Sequence, residues 1–336
     1  ANLALMTGNF GGPSMGIGPV RGQNNVQGAC DMGALPNSYP GYQNVTVPEI
    51  REKFEKAWGV PLSDQVGCPI THVPHRILHE KEEKKRIHAY YIFGEDPAQS
   101  DPDLAEVREA LDKCDFVVMQ DIYMNKTGLY ADVILPATAW GENEGIYTCA
   151  DRGFQRVRKL IEPEGDMRPD WQIIADISTA MGYPMNYKNT EEIWNEMIDL
   201  CPSFTGATYE KIEKYSGVQW PCRDKSMEDK GTPYLHKDGI FATKDHKALF
   251  YGTDWHPPVE LEDQYPMTLS TVREVGHYSV RTMTGNCRTL RNLEDEPGWV
   301  QMNTEDCEKM NLKKGELVKI LSKRGTVLHG VFLRTV

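Results

Sequence analysis

Three short apolar runs, each closed by turn or polar chemistry, constrain this chain more than any other feature. Ala89-Tyr-Tyr-Ile-Phe93 stops at Gly94, Phe116-Val-Val-Met119 stops at Gln120-Asp121, and Asp132-Val-Ile-Leu135 stops at Pro136. Runs this short, without polar alternation, read as strands buried on both faces. Between the first two, Asp101 and Pro102 read as the start of a helix with Leu104, Val107, Ala110 and Leu111 on one face. A strand, a helix and further strands predict an α/β fold with a doubly wound parallel sheet and right-handed crossovers.

The flanks follow from the same signals. Seven glycines between Gly8 and Gly28 mark a loop without helix or strand periodicity. A helix starts at Val47-Pro48 and reaches about Trp58. Another opens near Asp170, carries Trp171, Ile174, Ala175, Ile177 and Met181 as apolar positions and ends at Gly182; Asn189 with Glu192 forms a capping box for a helix to about Leu200. Both are expected to pack on the sheet. Residues 267–272, 299–302, 317–322 and 327–333 read as strands, with a short helix after Asn303-Thr304, so a β-barrel-type C-terminal domain is expected, and an incomplete one. Residues 1–6 read as the middle of a buried element, and the last residues as an unfinished hairpin. The expectation is a C-terminal fragment of a longer polypeptide.

Composition narrows the function classes. At 336 residues the chain has room for two domains or parts of more. Its 37 Lys and Arg against 49 Asp and Glu give a net charge of −12, which argues against nucleic acid, since binding a phosphate backbone requires surplus cations. A mean hydropathy of −0.53 and the lack of any run of about 18 apolar residues argue against direct membrane insertion. The eight cysteines stand at least 20 residues apart, so no close pair offers zinc or iron–sulfur spacing. They read as reduced thiols of a cytoplasmic protein.

Ligands of open parallel sheets bind beyond the carboxyl ends of the strands, where this sequence places Gly94-Glu95-Asp96-Pro97, Gln120-Asp121 and Pro136-Ala137-Thr138. There is no GxGxxG, so a nucleotide would be held by its base. The Watson–Crick edge of guanine offers two N–H donors to a carboxylate, and Asp121 and Asp170 are candidate acceptors. The alternative, that these residues only cap loops, stays open. Arg21, in a loop rich in glycine and amides, offers a guanidinium fork for a small carboxylate; Arg273, Glu274 and His277 follow an expected strand. His72, His75, His79 and His88 invite a metal reading, but Pro74 is expected to interrupt the helix that would align them, so no metal ligand is assigned. Glu142 is expected to orient a neighbouring loop rather than pair with Glu144.

Taken together, VRGQNNVQGACDMGALP (20–36), GEDP (94–97), QD (120–121), ADVILPATAWGENEG (131–145), ADRGFQRV (150–157), DW (170–171) and STVREVGHYSVRTMTGNC (270–287) resemble the molybdopterin oxidoreductase family. Within it they are most similar to the catalytic subunits of molybdenum- or tungsten-dependent formate dehydrogenases of the selenocysteine type. The resemblance implies formate and CO2 as substrate pair and bis-molybdopterin guanine dinucleotide on Mo or W. It also implies a [4Fe-4S] cluster whose ligands lie outside this chain, and an iron–sulfur electron-transfer subunit, with a hydrogenase beyond it, as partners. A nitrate-type substrate or a non-catalytic scaffold of the same fold are the alternatives. At matching positions the resemblance makes Arg21 the residue that holds formate, with Gly22 and Gln23 at a pterin. Gly94, Asp96, Ser100, Gln120, Asp121 and Asp170 would hold a guanosine portion, and Arg273, Glu274, His277 and Ser279 the other end of the same cofactor. Ser100 and Ala137 depart from the hydroxyl residues common in relatives. The implied layout is an αβα tail with the active-site loop (1–24), a guanosine-binding αβα part (25–139), a helical part (140–235) and a truncated barrel (236–336).

Overall fold

The computed structural model describes residues 1–256, 262–272, 276–277, 279–293, 298–323, 325–326 and 331–335. The chain divides into two compact units, one of residues 1–95 with 102–251 and one of residues 96–101 with 252–336.

The first unit opens with α1 (Asn2–Met6), a single helical stretch none of whose residues is buried, where the sequence read a buried element. The glycine-rich loop follows, irregular until α2 (Val26–Asp31). A tight hairpin of β1 (Ser38–Tyr39) and β2 (Gln43–Asn44) leads to α3 (Pro48–Trp58), which ends as expected with Gly59 in the left-handed region. Next comes α4 (Val73–Leu78). Pro74 lies in its first turn, where a missing N–H costs nothing, so it starts this helix rather than interrupting it.

The parallel sheet is present. β3 (Ala89–Phe93) pairs with β4 (Phe116–Asp121), and β4 with β5 (Val133–Pro136), all in parallel, with Phe93 beside Gln120 and Asp121 beside Pro136. The short helix α5 (Pro97–Ser100) belongs to the second unit; the crossover helix is α6 (Leu104–Lys113). Its cap is Asp103, whose carboxylate accepts from Glu106 N at 3.4 Å, not Asp101. Pro102 holds Asp101 extended, which moves the cap two residues on. Val73 and Ile77 of α4 bury against Ala110 of α6.

Among the described residues the sheet has three parallel strands, and a single 3-10 turn (Thr127–Leu129) rather than an α-helix joins β4 to β5. Ile92, Val117 and Met119 are buried, but Tyr91, Phe93, Phe116 and Ile134 are exposed, so the strands cover one face rather than two.

The larger core lies elsewhere. β6 (Gly145–Thr148), β7 (Gly153–Val157) and β8 (Val218–Gln219) form an antiparallel sheet in the order β6-β7-β8. α7 (Asp170–Ala180) buries Ala175 as expected and Ile173 in addition, leaves Trp171 and Ile177 half-buried, and exposes Ile174 and Met181. α8 (Thr190–Leu200) and α9 (Tyr209–Tyr215) pack on the antiparallel sheet, not on the parallel one. Phe154 meets Trp194 and Phe204 edge to face, with ring centres 4.9 and 5.1 Å apart. Asn189 caps α8 by accepting from Glu192 N at 3.0 Å, and Glu192 returns to Lys188 N.

In the second unit β9 (Trp299–Met302) precedes α10 (Thr304–Lys309), capped by Asn303 as expected. β10 (Leu317–Val318) and β9 flank β13 (Val331–Thr335), while β11 (Leu321–Ser322) and β12 (Gly325–Thr326) make a separate hairpin. No closed barrel is formed among the described residues, and residues 267–272 hold no strand. The run expected at 317–322 is two short strands, and residues 327–330 lie outside the described ones.

Candidate functional site

Two clusters of polar side chains in the first unit stand where the sequence placed chemistry. The first surrounds a cavity of about 890 Å³, walled by the glycine-rich loop together with Arg21, Gln27, Tyr42, Arg152 and Trp220. Arg21 is exposed on it, and Nη2 donates to Gln27 Oε1 at 2.8 Å. Gln27 is buried. Its Nε2 donates in turn to Asp31 Oδ1 at 2.9 Å and to the Tyr42 hydroxyl at 2.8 Å. Tyr42 donates to the same Asp31 oxygen at 2.8 Å, and Trp220 Nε1 reaches Asp31 Oδ2 at 3.2 Å.

Asp31 is fully buried. Burial pushes its carboxyl above the ordinary value, against hydrogen bonds from Gln27, Tyr42, Thr148 and Trp220 that pull it down. Burial and the adjoining Asp31 push the Tyr42 hydroxyl up as well, so Tyr42 stays a donor. The sequence supplies this arrangement compactly, since Gln27 and Asp31 are one turn apart on α2 and face the same side. The loop is tied down by Asn25, whose Oδ1 accepts from Thr148 N at 2.9 Å. Any side chain at position 28 would meet that same oxygen at 2.0 Å, which is why a glycine stands there. Arg152, with φ of 71°, stacks on Trp220 and donates to the carbonyls of Trp220, Thr232 and Pro233, closing the opposite wall.

The second cluster sits at the carboxyl end of the parallel sheet. Gly94 takes φ of 63°, which lets the chain turn off β3 while its N–H still reaches Gln120 O at 2.9 Å. Gln120 is fully buried, accepts from the Tyr91 hydroxyl, and donates from Nε2 to Asp170 Oδ1 at 2.7 Å. Both ends of Gln120 are therefore engaged, and its work is to aim Asp170. Burial, with Asp121 as a smaller contribution, pushes the Asp170 carboxyl up, while the Gln120 bond opposes it. Asp121 organises its own loop. Oδ1 accepts from Ile122 N at 2.6 Å and Tyr123 N at 3.3 Å, and Oδ2 from Asn125 Nδ2 at 2.8 Å. Glu142 accepts from Ala139 N at 2.8 Å, the loop-orienting role expected of it.

In the second unit Asp96 is buried, and its carbonyl accepts the Ser100 hydroxyl at 3.0 Å. The sequence put Asp96 and Ser100 at one end of a ligand and His277 and Ser279 at the other. The structure tethers the two segments, because Gln99 Nε2 donates to Val280 O at 2.7 Å beside the 3-10 turn Ser279–Arg281. His277 Nδ1 lies 2.7 Å from Thr284 Oγ1. Arg273 and Glu274 lie outside the described residues. Gly22 and Gln23 are exposed and do not line the cavity. His88 stands apart from the other histidines, between Asp115 at 2.6 Å and Glu83 at 2.9 Å, and Asp115 foremost raises its pKa.

Three observations test whether a pterin guanine dinucleotide fits these residues. Thr138 Oγ1, just beyond β5, is buried with no hydrogen-bond partner, as is His277 Nε2 in the second unit. Asp170 Oδ2 makes no hydrogen bond among the described residues, so a half-buried carboxylate oxygen is open to a donor. Orphaned polar atoms and an open acceptor suit a ligand rich in hydrogen-bonding groups. The donor set fits. Gln27, Asp31, Tyr42 and Trp220 escaped the sequence reading; only Gln27 and Asp31, four apart within the quoted 20–36 segment, carried a local signal, and Trp220 joins from 189 residues away.

Comparison with known proteins defines the class. Residues 1–180 match the molybdopterin oxidoreductase family model, and residues 267–335 match that of the molybdopterin dinucleotide binding domain. The chain belongs to the molybdopterin oxidoreductase family. It is 54% identical over 329 residues to formate dehydrogenase H of Escherichia coli, covering 97% of this chain and 45% of that protein. It is 41% identical to the F420-dependent formate dehydrogenase 2 subunit alpha of Methanococcus maripaludis, covering 97% and 47%. It thus spans just under half the length of these relatives. Acetylene hydratase from Pelobacter acetylenicus shares the fold, with a TM-score of 0.62 over 85% of this chain and 40% of that one, at 18% identity. Among the described residues no helix is long and apolar enough to cross a membrane.

Proposed function

We propose that this chain is the part of a formate dehydrogenase catalytic subunit that holds substrate carboxylate and grips a bis-molybdopterin guanine dinucleotide. The observation that carries the reading is Arg21, a cavity-wall guanidinium held in place by Gln27. The similarity of this chain to the two formate dehydrogenases supports it. When bound, the cofactor would supply a molybdenum or tungsten centre able to accept the two electrons released as formate is converted to CO2 and a proton.

This chain's residues bind and orient. Arg21 presents a planar fork to a carboxylate, two charge-assisted bonds that fix the direction of the formate C–H. Gln27 holds one Arg21 nitrogen, and the Asp31, Tyr42 and Trp220 hydrogen bonds hold Gln27. Asp170 accepts from the guanine edge through Oδ2, with Gln120 fixing its plane. Gly22 and Gln23 contact a pterin, Gly94, Asp96, Ser100, Gln120, Asp121 and Asp170 hold the guanosine portion, and Arg273, Glu274, His277 and Ser279 line the other end of the same cofactor. The domain limits 1–24, 25–139, 140–235 and 236–336 belong to the same proposal. So do a partner subunit, which the subunit name of the methanogen relative supports, its iron–sulfur character, which the family resemblance implies, and a cytoplasmic setting, which eight free thiols support.

The test is formate against nitrate with an artificial dye, on the whole protein that carries this chain, purified with its metal content measured. Formate-dependent dye reduction with about one Mo or W per chain supports the proposal. Nitrate turnover without formate turnover, or absence of both metals from matured protein, removes it.

A further inference from the structure

The helix that Pro74 starts presents two imidazoles on one side. His75 lies in the first turn of α4 and His79 is its C-cap, four residues on, with ring centres 5.3 Å apart. A four-residue step puts side chains one above the other on a helix face. The third group comes from the neighbouring helix: Glu106, in the first turn of α6, faces the pair. One ligand atom each from His75, His79 and Glu106 all lie within 4.8 Å of one another. The backbones behind them are fixed by the buried contact of Val73 and Ile77 with Ala110. None of the three side chains makes a hydrogen bond or ion pair among the described residues, and both imidazoles are exposed.

We propose that His75, His79 and Glu106 form a binding site for one divalent transition-metal ion, a site that clips α4 to α6 and shares no residue with the cavity or the sheet-end cluster described above. Two imidazole nitrogens and one carboxylate oxygen are a ligand set of borderline softness, which selects zinc-like ions over calcium or magnesium. Tetrahedral zinc with bonds of about 2.0–2.2 Å needs ligand atoms about 3.3–3.6 Å apart, and exposed side chains reach that by small rotamer changes. Three protein ligands leave a fourth position for water. The place of His72 in the preceding 3-10 turn and the pairing of His88 with Asp115 and Glu83 keep those two histidines out of the set.

The probe is zinc itself, measured by equilibrium dialysis and elemental analysis on the whole cofactor-loaded protein. The comparison set is His75→Gln, His79→Gln and Glu106→Gln, with His72→Gln as the control. The expected result is one zinc per chain beyond any other metal, lost in the two ligand-histidine variants. Affinity falls at least tenfold in Glu106→Gln, and His72→Gln is unchanged. Zinc content and affinity that do not respond to His75→Gln or His79→Gln overturn the proposal, as does unchanged affinity in Glu106→Gln. None of the three side chains is buried, far-UV circular dichroism confirms that each variant is folded before zinc is measured, and the readout does not depend on enzymatic turnover.

Discussion

Arg21 and Asp31 are joined through one amide: Gln27 accepts from the guanidinium at 2.8 Å and donates to the carboxylate at 2.9 Å. A neutral side chain thus transmits the position of a buried anion to an exposed cation. Gln27→Ala removes this link while leaving Arg21 its charge. A hydrogen bond to a charged group is worth about 1.5–3 kcal/mol, so kcat/KM for formate should fall about 10- to 100-fold, mostly through KM. Steady-state kinetics at matched metal content check this; unchanged KM would show that Arg21 needs no such support.

Asp31 gives a pH signature. Its folded value lies above the unfolded 3.8, chiefly through burial. Its stabilising contribution is therefore complete below that unfolded value and lost as pH rises through the folded one. The amide introduced by Asp31→Asn does not titrate, so this variant should lose stability relative to the parent as pH is lowered from neutral toward 3.8. Urea denaturation at several pH values measures the gap. A gap that narrows on acidification contradicts the assignment.

The two sheet-end aspartates should separate. Asp170→Asn keeps an acceptor for Gln120 but turns a donor toward the guanine edge, so retained cofactor should drop at least tenfold in affinity. Asp121→Ala frees Ile122 N and Asn125, so it should lower the melting temperature and weaken cofactor retention less than Asp170→Asn does. Guanosine monophosphate released per chain on acid hydrolysis, read beside thermal unfolding, distinguishes them.

Phe204 is fully buried between Phe154 and Trp220. Its replacement by Ala should cost about 3–5 kcal/mol, by lost transfer energy and the cavity left behind. Chemical denaturation measures this, and a loss below about 1 kcal/mol would mean that the antiparallel-sheet core collapses readily around the gap.

The parallel strands are legible in the sequence because their apolar runs are contiguous and end in Gly94, Gln120 and Pro136, signals carried by neighbours in sequence. Caps are legible to within the ambiguity of Asp101-Pro-Asp103, where two candidate residues flank a proline and only its steric demand on Asp101 decides. The Arg21 loop is legible as a loop, but its support is not, since Asp31 gains Trp220 across 189 residues and no local pattern records that pairing. The apolar face of α8 is legible but the sheet it packs on is not: periodicity shows that a face is apolar, not what covers it. His75 and His79 are hard to read because Pro74 fits both a helix breaker and a first-turn residue.

Formate turnover by Arg21→Lys and Arg21→Ala, compared with the parent at equal molybdenum or tungsten content, tests the central claim most directly. Arg21→Ala should lose at least about 100-fold in kcat/KM with the metal retained. Lysine, a point charge without the fork, should recover only part of that. Parental kinetics in Arg21→Ala at full metal loading would contradict the claim.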